Sequence, residues 1–215
     1  MASYVRRLPV YLLLDCSGSM LGEPIEAVKQ GVKTLLSELR SDPQALETAY
    51  LSVITFDSSA RQTVPLTELM QFEEPELEAG GATALGEALE VLMDSVNNEV
   101  RKTTEEQKGD WKPLVFILTD GSPTDVGTFD QAAPKLKDMK AANIIACGAG
   151  SNVETSYLKQ ITDNVMMMNS VSPGDFSDYF KWVSGSILMS SKSLDSAPGA
   201  PIELAPPPTG FVVVP

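Results

Sequence analysis

The sequence contains no histidine and only two cysteines, Cys16 and Cys147. The absence of histidine excludes the serine–histidine and cysteine–histidine nucleophile systems, and it removes the imidazole ligands that zinc usually prefers. Two cysteines are too few for a disulfide framework, and a chain of 215 residues needs none. We therefore expect any bound metal ion to be held by oxygen atoms, and we expect the protein to work in a reducing compartment.

Positive charge is also scarce, because 16 Lys and Arg stand against 29 Asp and Glu and give a formal net charge of -13. A charge of this sign repels nucleic-acid phosphates and anionic membrane surfaces. Long apolar runs are missing too, since no stretch of about 18 apolar residues is present to span a bilayer. We therefore expect no nucleic-acid partner and no membrane association.

The first residues, "MASYVRRLPVYLLLDC", imitate a signal peptide. Their apolar run is at the short limit for such a segment, and Asp15 occupies a position where cleavage requires a small residue. A buried first strand is the interpretation that we adopt.

Short apolar runs alternate with longer segments of helical period, a pattern typical of a parallel sheet with crossover helices. The sequence predicts parallel strands at residues 10–15, 51–56, 114–119, 144–150 and 165–169. It predicts an antiparallel edge strand at residues 60–66, which contain Pro65. Helices are predicted at residues 24–39, 84–99, 129–141, 154–162 and 176–192. The expected fold is α/β, with three Rossmann-like layers: a mostly parallel six-stranded sheet, one antiparallel edge strand in it, and helices on both faces.

The composition changes after Lys192 to "SLDSAPGAPIELAPPPTGFVVVP". We therefore divide the chain into one globular domain at residues 1–192 and a tail rich in proline and alanine at residues 193–215. The tail is expected to form no regular structure, because it has many prolines and few periodic apolar positions. Its apolar end, "GFVVVP", allows the alternative that an extended segment adds to a sheet edge, its own or a partner's.

Polar residues follow the predicted strands where an open parallel sheet binds its ligands, beyond the carboxyl ends of the strands. In "LLLDCSGSM", Asp15, Ser17 and Ser19 come directly after the first strand. Thr83 lies in the loop "GGATALGEAL", and Asp120 follows the strand in "PLVFILTDG". Three separate loops thus bring hydroxyls and carboxylates to one edge, which indicates a shared centre.

The oxygen atoms of these side chains suit Mg²⁺ or Mn²⁺, which favour six oxygen ligands, and Ca²⁺ is a further possibility. Alternation along an extended run turns Cys16 away from the face that carries Asp15 and Ser17. Taken singly, Asp15 and Ser17 are also common helix caps, and Thr83 is a candidate cap for the helix that follows it. Only their convergence favours a metal site.

"DCSGSM", a D-x-S-x-S motif, together with Thr83 and the "TDG" at residues 119–121, resembles the von Willebrand factor type A domain. The resemblance covers roughly residues 7–192. It implies that the matching positions form a metal-ion-dependent adhesion site, in which an aspartate or glutamate of a partner protein completes the coordination of the ion. The positions are Asp15, Ser17, Ser19, Thr83 and Asp120.

More narrowly, "LLLDCSGSMLGEPIEAV", "GGATALGEAL" and "LTDGSPTD" are similar to the bacterial tellurium-resistance proteins of the TerY type. That resemblance implies a cytoplasmic protein of a stress-response system, with kinase-like or phosphatase-like partners. The sequence itself contains no tellurium chemistry, since neither cysteine is expected to be reactive.

The alternative function is a magnesium-dependent phosphoryl-transfer or phosphatase-like enzyme that uses Asp15. Haloacid-dehalogenase-type enzymes also place an aspartate after the first strand, but they have a second acid two residues later, where this chain has Ser17. A phosphate-binding G-x-x-x-x-G-K-[ST] motif and a G-x-S-x-G elbow are both missing. We therefore expect a binding protein rather than an enzyme.

Overall fold

The computed structural model describes residues 6–196 and 203–215 and contains a central sheet. Within these residues the sheet has seven strands in the order β3-β2-β1-β4-β5-β6-β7. The strands are β1 (Leu8–Asp15), β2 (Ala49–Phe56), β3 (Ala60–Glu68), β4 (Leu114–Thr119), β5 (Asn143–Ala149), β6 (Val165–Met168) and β7 (Phe211–Val214). The pairs within β2-β1-β4-β5-β6 are parallel, and the two edge strands, β3 and β7, are antiparallel to their neighbours.

Six helices flank the sheet in the described residues. They are α1 (Glu23–Arg40), α2 (Pro43–Thr48), α3 (Leu85–Glu99), α4 (Val126–Met139), α5 (Thr155–Ile161) and α6 (Pro173–Ser196). Side chains on one face of the sheet pack against α1 and α6, and side chains on the other face pack against α3, α4 and α5. Each of these helices is too short or too polar to cross a lipid bilayer.

The central strands form because their side chains are buried on both faces. Every residue of β1 and of β4 is buried, and apart from Pro9, Asp15 and Thr119 both strands consist of Leu, Ile, Val, Phe and Tyr. A strand of a parallel sheet covered by helices on both sides requires such a run. The layered α/β fold that the sequence predicts is therefore confirmed.

The number of strands is corrected from six to seven, and the number of antiparallel edge strands from one to two. The additional strand is β7, which pairs with β6. The expectation that the tail forms no regular structure is therefore wrong for residues 193–196, which continue α6, and for Phe211–Val214. The alternative of strand addition to the chain's own sheet describes Phe211–Val214. Residues 197–202 of the predicted tail lie outside the described residues.

Helix α2 was not predicted, because six residues are too few to show a helical period. It begins with Pro43 after Asp42, whose side chain accepts a hydrogen bond of 3.0 Å from the Ala45 N–H. A proline in the first turn and a capping aspartate are usual helix starts. Helix α4 also begins three residues earlier than predicted, at Val126.

Candidate functional site

The candidate site lies at the carboxyl ends of β1 and β4, which are neighbours in the sheet. Asp15 is the last residue of β1, and Asp120 directly follows β4. Strand β1 pairs with β2 on one side and with β4 on the other, so the strand order reverses between β1 and β4. This reversal opens a crevice above the strand ends, where α/β sheets bind ligands.

A chain of short contacts connects the polar side chains of the first and third loops. The Ser17 and Ser19 hydroxyl oxygens lie 3.0 Å apart. The Ser19 hydroxyl donates to Asp120 Oδ1 at 2.6 Å, and the Ser17 N–H donates to Asp15 Oδ1 at 2.8 Å. Ser17 is the N-cap residue of a short 3-10 turn, Gly18–Met20, and Ser19 lies within this turn. Four of the five predicted site residues are thus in one hydrogen-bonded group.

Thr83 reaches the same crevice through its loop. The Gly18 N–H donates to the Gly81 carbonyl at 3.1 Å, and the Gly80 N–H donates to the Cys16 carbonyl at 2.8 Å. A Cβ atom built on Gly121 would lie 3.5 Å from Thr83 Oγ1, so the Thr83 hydroxyl faces the loop that carries Asp120. The structure therefore brings all five predicted positions to one edge of the sheet.

The five side chains differ in their exposure. Asp15 and Ser17 are 1% and 2% exposed, and Thr83 and Asp120 are also buried. Ser19 is exposed. Four of the five site residues are therefore buried, and Ser19 lies on the solvent-exposed side of the site.

Burial raises the pKa of the Asp15 carboxyl above its usual range, although hydrogen bonds from Ser17 and Thr119 oppose the shift. The negative charge of Asp120 raises the pKa of Asp15 further. Burial also raises the pKa of Asp120, against the hydrogen bond from Ser19. Burial of both carboxyl groups in one crevice therefore disfavours their ionised, negatively charged form.

The donor set fits a hard divalent cation. It consists of two carboxylates and three hydroxyls, and no ion pair in the described part of the chain involves Asp15 or Asp120. A bound cation would compensate the two buried carboxylates, which lack a basic partner. No sulfur competes, because Cys16 lies in the core against α1 and α6, where burial raises the pKa of its thiol to about 12.

Two residues around the site were not predicted to have a role in it. The Thr119 hydroxyl donates to Asp15 Oδ2 at 2.6 Å, so both oxygens of Asp15 are held. The Thr83 N–H donates to Thr124 Oγ1 at 3.0 Å, and the Thr124 N–H donates to the Thr83 carbonyl at 2.9 Å. Thr124 thereby fixes the Thr83 loop to the loop after β4. Position in the "LTDGSPTD" segment was the only signal of these roles, because hydrogen bonds between distant loops leave no local pattern.

The capping of α3 also differs from the sequence interpretation. The N-cap residue is Ala84, not Thr83, and the first turn is capped by Asp125 from the loop before α4. The Asp125 carboxylate accepts hydrogen bonds from the Gly86 and Glu87 N–H groups at 3.1 and 2.8 Å. The Thr83 side chain is therefore released from capping, and its hydroxyl is available to the crevice.

Comparison with known proteins gives a family match over most of the chain. The model of the von Willebrand factor type A domain matches residues 10–181. A curated relative, the uncharacterized protein sll0103 of Synechocystis sp., is 33% identical over 123 residues, which are 54% of this chain and 26% of that protein. The match thus spans about a quarter of the relative's length.

Solved structures with the same fold include two that carry metal ions. The proximal thread matrix protein 1 of the mussel byssus, with a zinc-occupied MIDAS motif, is 19% identical, with a TM-score of 0.57 over 84% of this chain and 48% of that one. The manganese-loaded TRAP protein of Plasmodium vivax is 18% identical, with a TM-score of 0.54 over 80% of this chain and 71% of that one. At these identities the likeness establishes the fold.

Proposed function

We propose that this chain, which belongs to the von Willebrand factor type A family, is a protein-interaction module that binds a partner's carboxylate through a divalent cation. The observation that carries the proposal is the hydrogen-bonded group of Ser17, Ser19 and Asp120 beside the buried Asp15. Such a group offers several oxygen ligands in one crevice. It lies where the fold leaves room for a ligand.

Each residue has a distinct part in the proposed site. Ser17, Ser19 and Thr83 supply neutral oxygens, and Asp15 and Asp120 supply negative charge, directly or through water. Thr119 holds the second oxygen of Asp15, so that the carboxylate keeps one orientation. The bound cation supplies the positive charge that attracts a carboxylate. Ser19, the exposed member, marks the side from which a partner approaches.

We propose Mg²⁺ or Mn²⁺ as the resident ion, with Ca²⁺ as the further candidate. The zinc and manganese of the two solved relatives support a divalent ion in this fold. Zinc prefers nitrogen and sulfur ligands, whereas the five side chains of this crevice offer oxygen alone. The donor chemistry of this chain therefore favours the harder ions.

The proposed partner is a protein that presents an aspartate or glutamate. The chain has a net charge of -13, so without the cation its surface repels an acidic ligand. Binding should therefore depend on the ion. The resemblance to the TerY type extends the proposal to a cytoplasmic stress-response or tellurium-resistance system with kinase-like or phosphatase-like partners.

We further propose that the protein is not an enzyme. Asp15, the only candidate nucleophile of the alternative function, is 1% exposed, and both of its oxygens accept hydrogen bonds. A carboxylate whose two oxygens both accept hydrogen bonds is a poor nucleophile toward a phosphoryl group. Incubation with generic phosphoesters and magnesium tests the point, because turnover would favour the enzyme.

Magnesium or manganese is expected to raise the melting temperature of protein freed of metal by a chelator. A ligand that binds only the folded state at roughly 100 times its dissociation constant adds about 2.7 kcal/mol, which corresponds to about 5–10 °C for a chain of this size. Differential scanning calorimetry measures the shift. An equal shift in Asp15→Ala would contradict the assignment of the site.

The response to the ion is expected to weaken as the pH falls. The pKa values of Asp15 and Asp120 are raised, so both carboxyls take up protons at a higher pH than usual, and protons then compete with the cation. In the ion-free protein, the effect of these two carboxyls on the free energy of unfolding has the opposite dependence on pH. The contribution of these two carboxyls to its stability is greatest below the unfolded-state pKa and is lost as the pH rises through the folded-state pKa, because the folded state holds the protons longer. Calorimetry at several pH values with and without Mn²⁺ checks both trends, and a shift that is independent of pH would contradict the carboxylate ligands.

A further inference from the structure

We propose that Ser58 and Thr124 are positioning residues of the metal site, because their hydroxyl oxygens hold the loop that carries Thr83. Neither hydroxyl belongs to the five oxygen donors of the site. Both act through Thr83, whose hydroxyl must lie near Asp120 if the two residues are to bind one ion. The inference rests on the proposed function, since it concerns the ligand geometry of that same site.

The segment that contains Thr83 has no regular structure of its own. Residues 69–84, between the end of β3 and the start of α3, form neither a helix nor a strand. The N–H groups of such a segment need acceptors from other parts of the chain. The position of Thr83 is therefore decided by the acceptors that neighbouring elements provide.

Main-chain acceptors fix both ends of the Thr83 loop, residues 80–84. The Gly80 N–H donates to the Cys16 carbonyl at 2.8 Å, and the Ala84 N–H donates to the Asp57 carbonyl at 2.7 Å. A carbonyl acceptor is present whichever side chain its residue carries. These two hydrogen bonds therefore place the loop in general, but they leave its middle unattached.

Two side-chain hydroxyls are the acceptors for the middle of the loop. The Ala82 N–H donates to Ser58 Oγ at 3.1 Å, and the Thr83 N–H donates to Thr124 Oγ1 at 3.0 Å. Ser58 lies in the turn between β2 and β3, and Thr124 lies in the loop after β4. Because β2 and β4 flank β1 in the sheet, the loop is held from both sides of the strand that ends at Asp15.

Gly81 permits the close approach of the loop to Ser58. Its φ is 73°, and a Cβ atom built on it would overlap with Ser58 Oγ. Any other residue at this position would be strained and would displace the serine. The backbone of the loop therefore has a conformation that suits glycine at the point where Ser58 contacts it.

Ser58 and Thr124 are exposed, whereas Thr83 is buried. Removal of an exposed hydroxyl opens no cavity in the core, and near the surface water can replace it as an acceptor. The loss of either hydroxyl is therefore expected to loosen the loop with little effect on the melting temperature. This separation of loop position from stability makes the inference testable.

Calorimetric titration of Mn²⁺ into Thr124→Val and Thr124→Ser tests the role of Thr124. Valine removes the oxygen and nearly keeps the shape, whereas serine keeps the oxygen. Thr124→Val is expected to bind Mn²⁺ about 10-fold more weakly than the parent protein, the lower end of the loss for groups that support a metal ligand. Thr124→Ser should bind like the parent. Equal affinities of Thr124→Val and the parent would overturn the role of Thr124.

Ser58→Ala is expected to weaken Mn²⁺ binding by a similar factor, about 10-fold. Ser59→Ala is the matched control, because Ser59 is the adjacent exposed residue and its hydroxyl makes no hydrogen bond in the described part of the chain. The control should bind like the parent. If the two variants have the same affinity, whether reduced or unchanged, the Ser58 hydroxyl has no positioning role.

A double-mutant cycle with Thr83→Ala separates positioning from general damage. If Thr124 acts through Thr83, Thr124→Val weakens Mn²⁺ binding in the parent protein but causes no further loss in Thr83→Ala. An equal loss in both backgrounds would show that Thr124 acts on another ligand, and the positioning of Thr83 would be wrong. Melting temperatures in a chelator verify that all four proteins are folded.

The parent protein distinguishes failure of this inference from failure of the proposed function. A parent protein that binds no Mn²⁺ would overturn both. If the parent binds Mn²⁺ and Ser58→Ala and Thr124→Val bind it equally well, the metal site stands and only the positioning role is wrong.

Discussion

Asp120→Asn is expected to lower the affinity for Mn²⁺ or Mg²⁺ by at least about 10–100-fold, the loss that follows mutation of groups that only support metal ligands. Asparagine keeps the shape of the side chain and an oxygen that can accept from Ser19, but it removes a charge that attracts the cation. In the ion-free protein the same substitution should have the opposite effect. Burial raises the pKa of Asp120, so a neutral side chain relieves the penalty of an ionised one, and the free energy of unfolding should not fall.

Calorimetric titration of Mn²⁺ and urea unfolding in a chelator measure the two effects separately. Asp130→Asn is the matched control, because Asp130 is an exposed acid on α4 and its removal changes the net charge equally. The control should bind the ion like the parent protein. Unchanged affinity in Asp120→Asn would remove the third loop from the proposed site.

Thr83 provides a comparison without a change of charge. Thr83→Ala removes one oxygen, whereas Thr83→Ser keeps it, so the serine variant should retain most of the ion affinity that the alanine variant loses. Neither substitution removes a helix cap, because Asp125 caps α3. The two variants should therefore have similar stability in a chelator. If both also bind the ion equally, Thr83 is not a ligand.

The central strands were predictable because burial on both faces leaves a strong local pattern. All eight residues of β1 are buried, and the polar residue that ends the run, Asp15, lies where the strand itself ends. Since parallel strands place their carboxyl ends at one edge, the sequence also predicted which loops would meet. The positions of the five site residues follow from this rule together with the family resemblance.

The strand β7 was less predictable because its pairing is decided far away in the chain. Its four residues follow a proline-rich segment, and the whole of α6 lies in the sequence between them and their partner strand, β6. The composition of the tail indicates a linker, whereas β6 pairs with its end and Trp182 and Ser190 of α6 donate hydrogen bonds to its main chain. Tertiary contacts thus override the local signal. The same holds for Asp125, which caps a helix about 40 residues earlier in the sequence.

Asp110→Ala is expected to reduce the free energy of unfolding by about 3–5 kcal/mol, the usual cost of removing one partner of a buried ion pair. Arg7 Nε donates to Asp110 Oδ1 at 2.9 Å, and Arg7 Nη2 donates to Oδ2 at 2.5 Å. The Asp110 side chain is fully buried, and Oδ2 also accepts from the Arg101 N–H at 2.8 Å. The substitution therefore removes the acceptor of two hydrogen bonds from the Arg7 guanidinium and of one from the Arg101 N–H.

Urea unfolding of Asp110→Ala, Arg7→Met and the double variant forms a double-mutant cycle. The double variant should lose less stability than the sum of the single ones, because it leaves no uncompensated charge. The exposed pair Glu26–Lys29, at 2.6 Å, is the control, and Glu26→Ala should cost about 1 kcal/mol or less. A loss in Asp110→Ala no larger than in this control would show that the buried pair contributes little.

The same cycle separates stability from ion binding. Arg7 directly precedes β1 and Asp110 lies before β4, so their pair fixes the starts of the two strands whose far ends carry Asp15 and Asp120. If the strands keep their register, the folded fraction of Asp110→Ala should bind Mn²⁺ with the affinity of the parent protein, despite its lower stability. A matching loss of affinity, measured under conditions where the variant is folded, would show instead that the pair sets the register of β1 against β4 and thereby the spacing of the site.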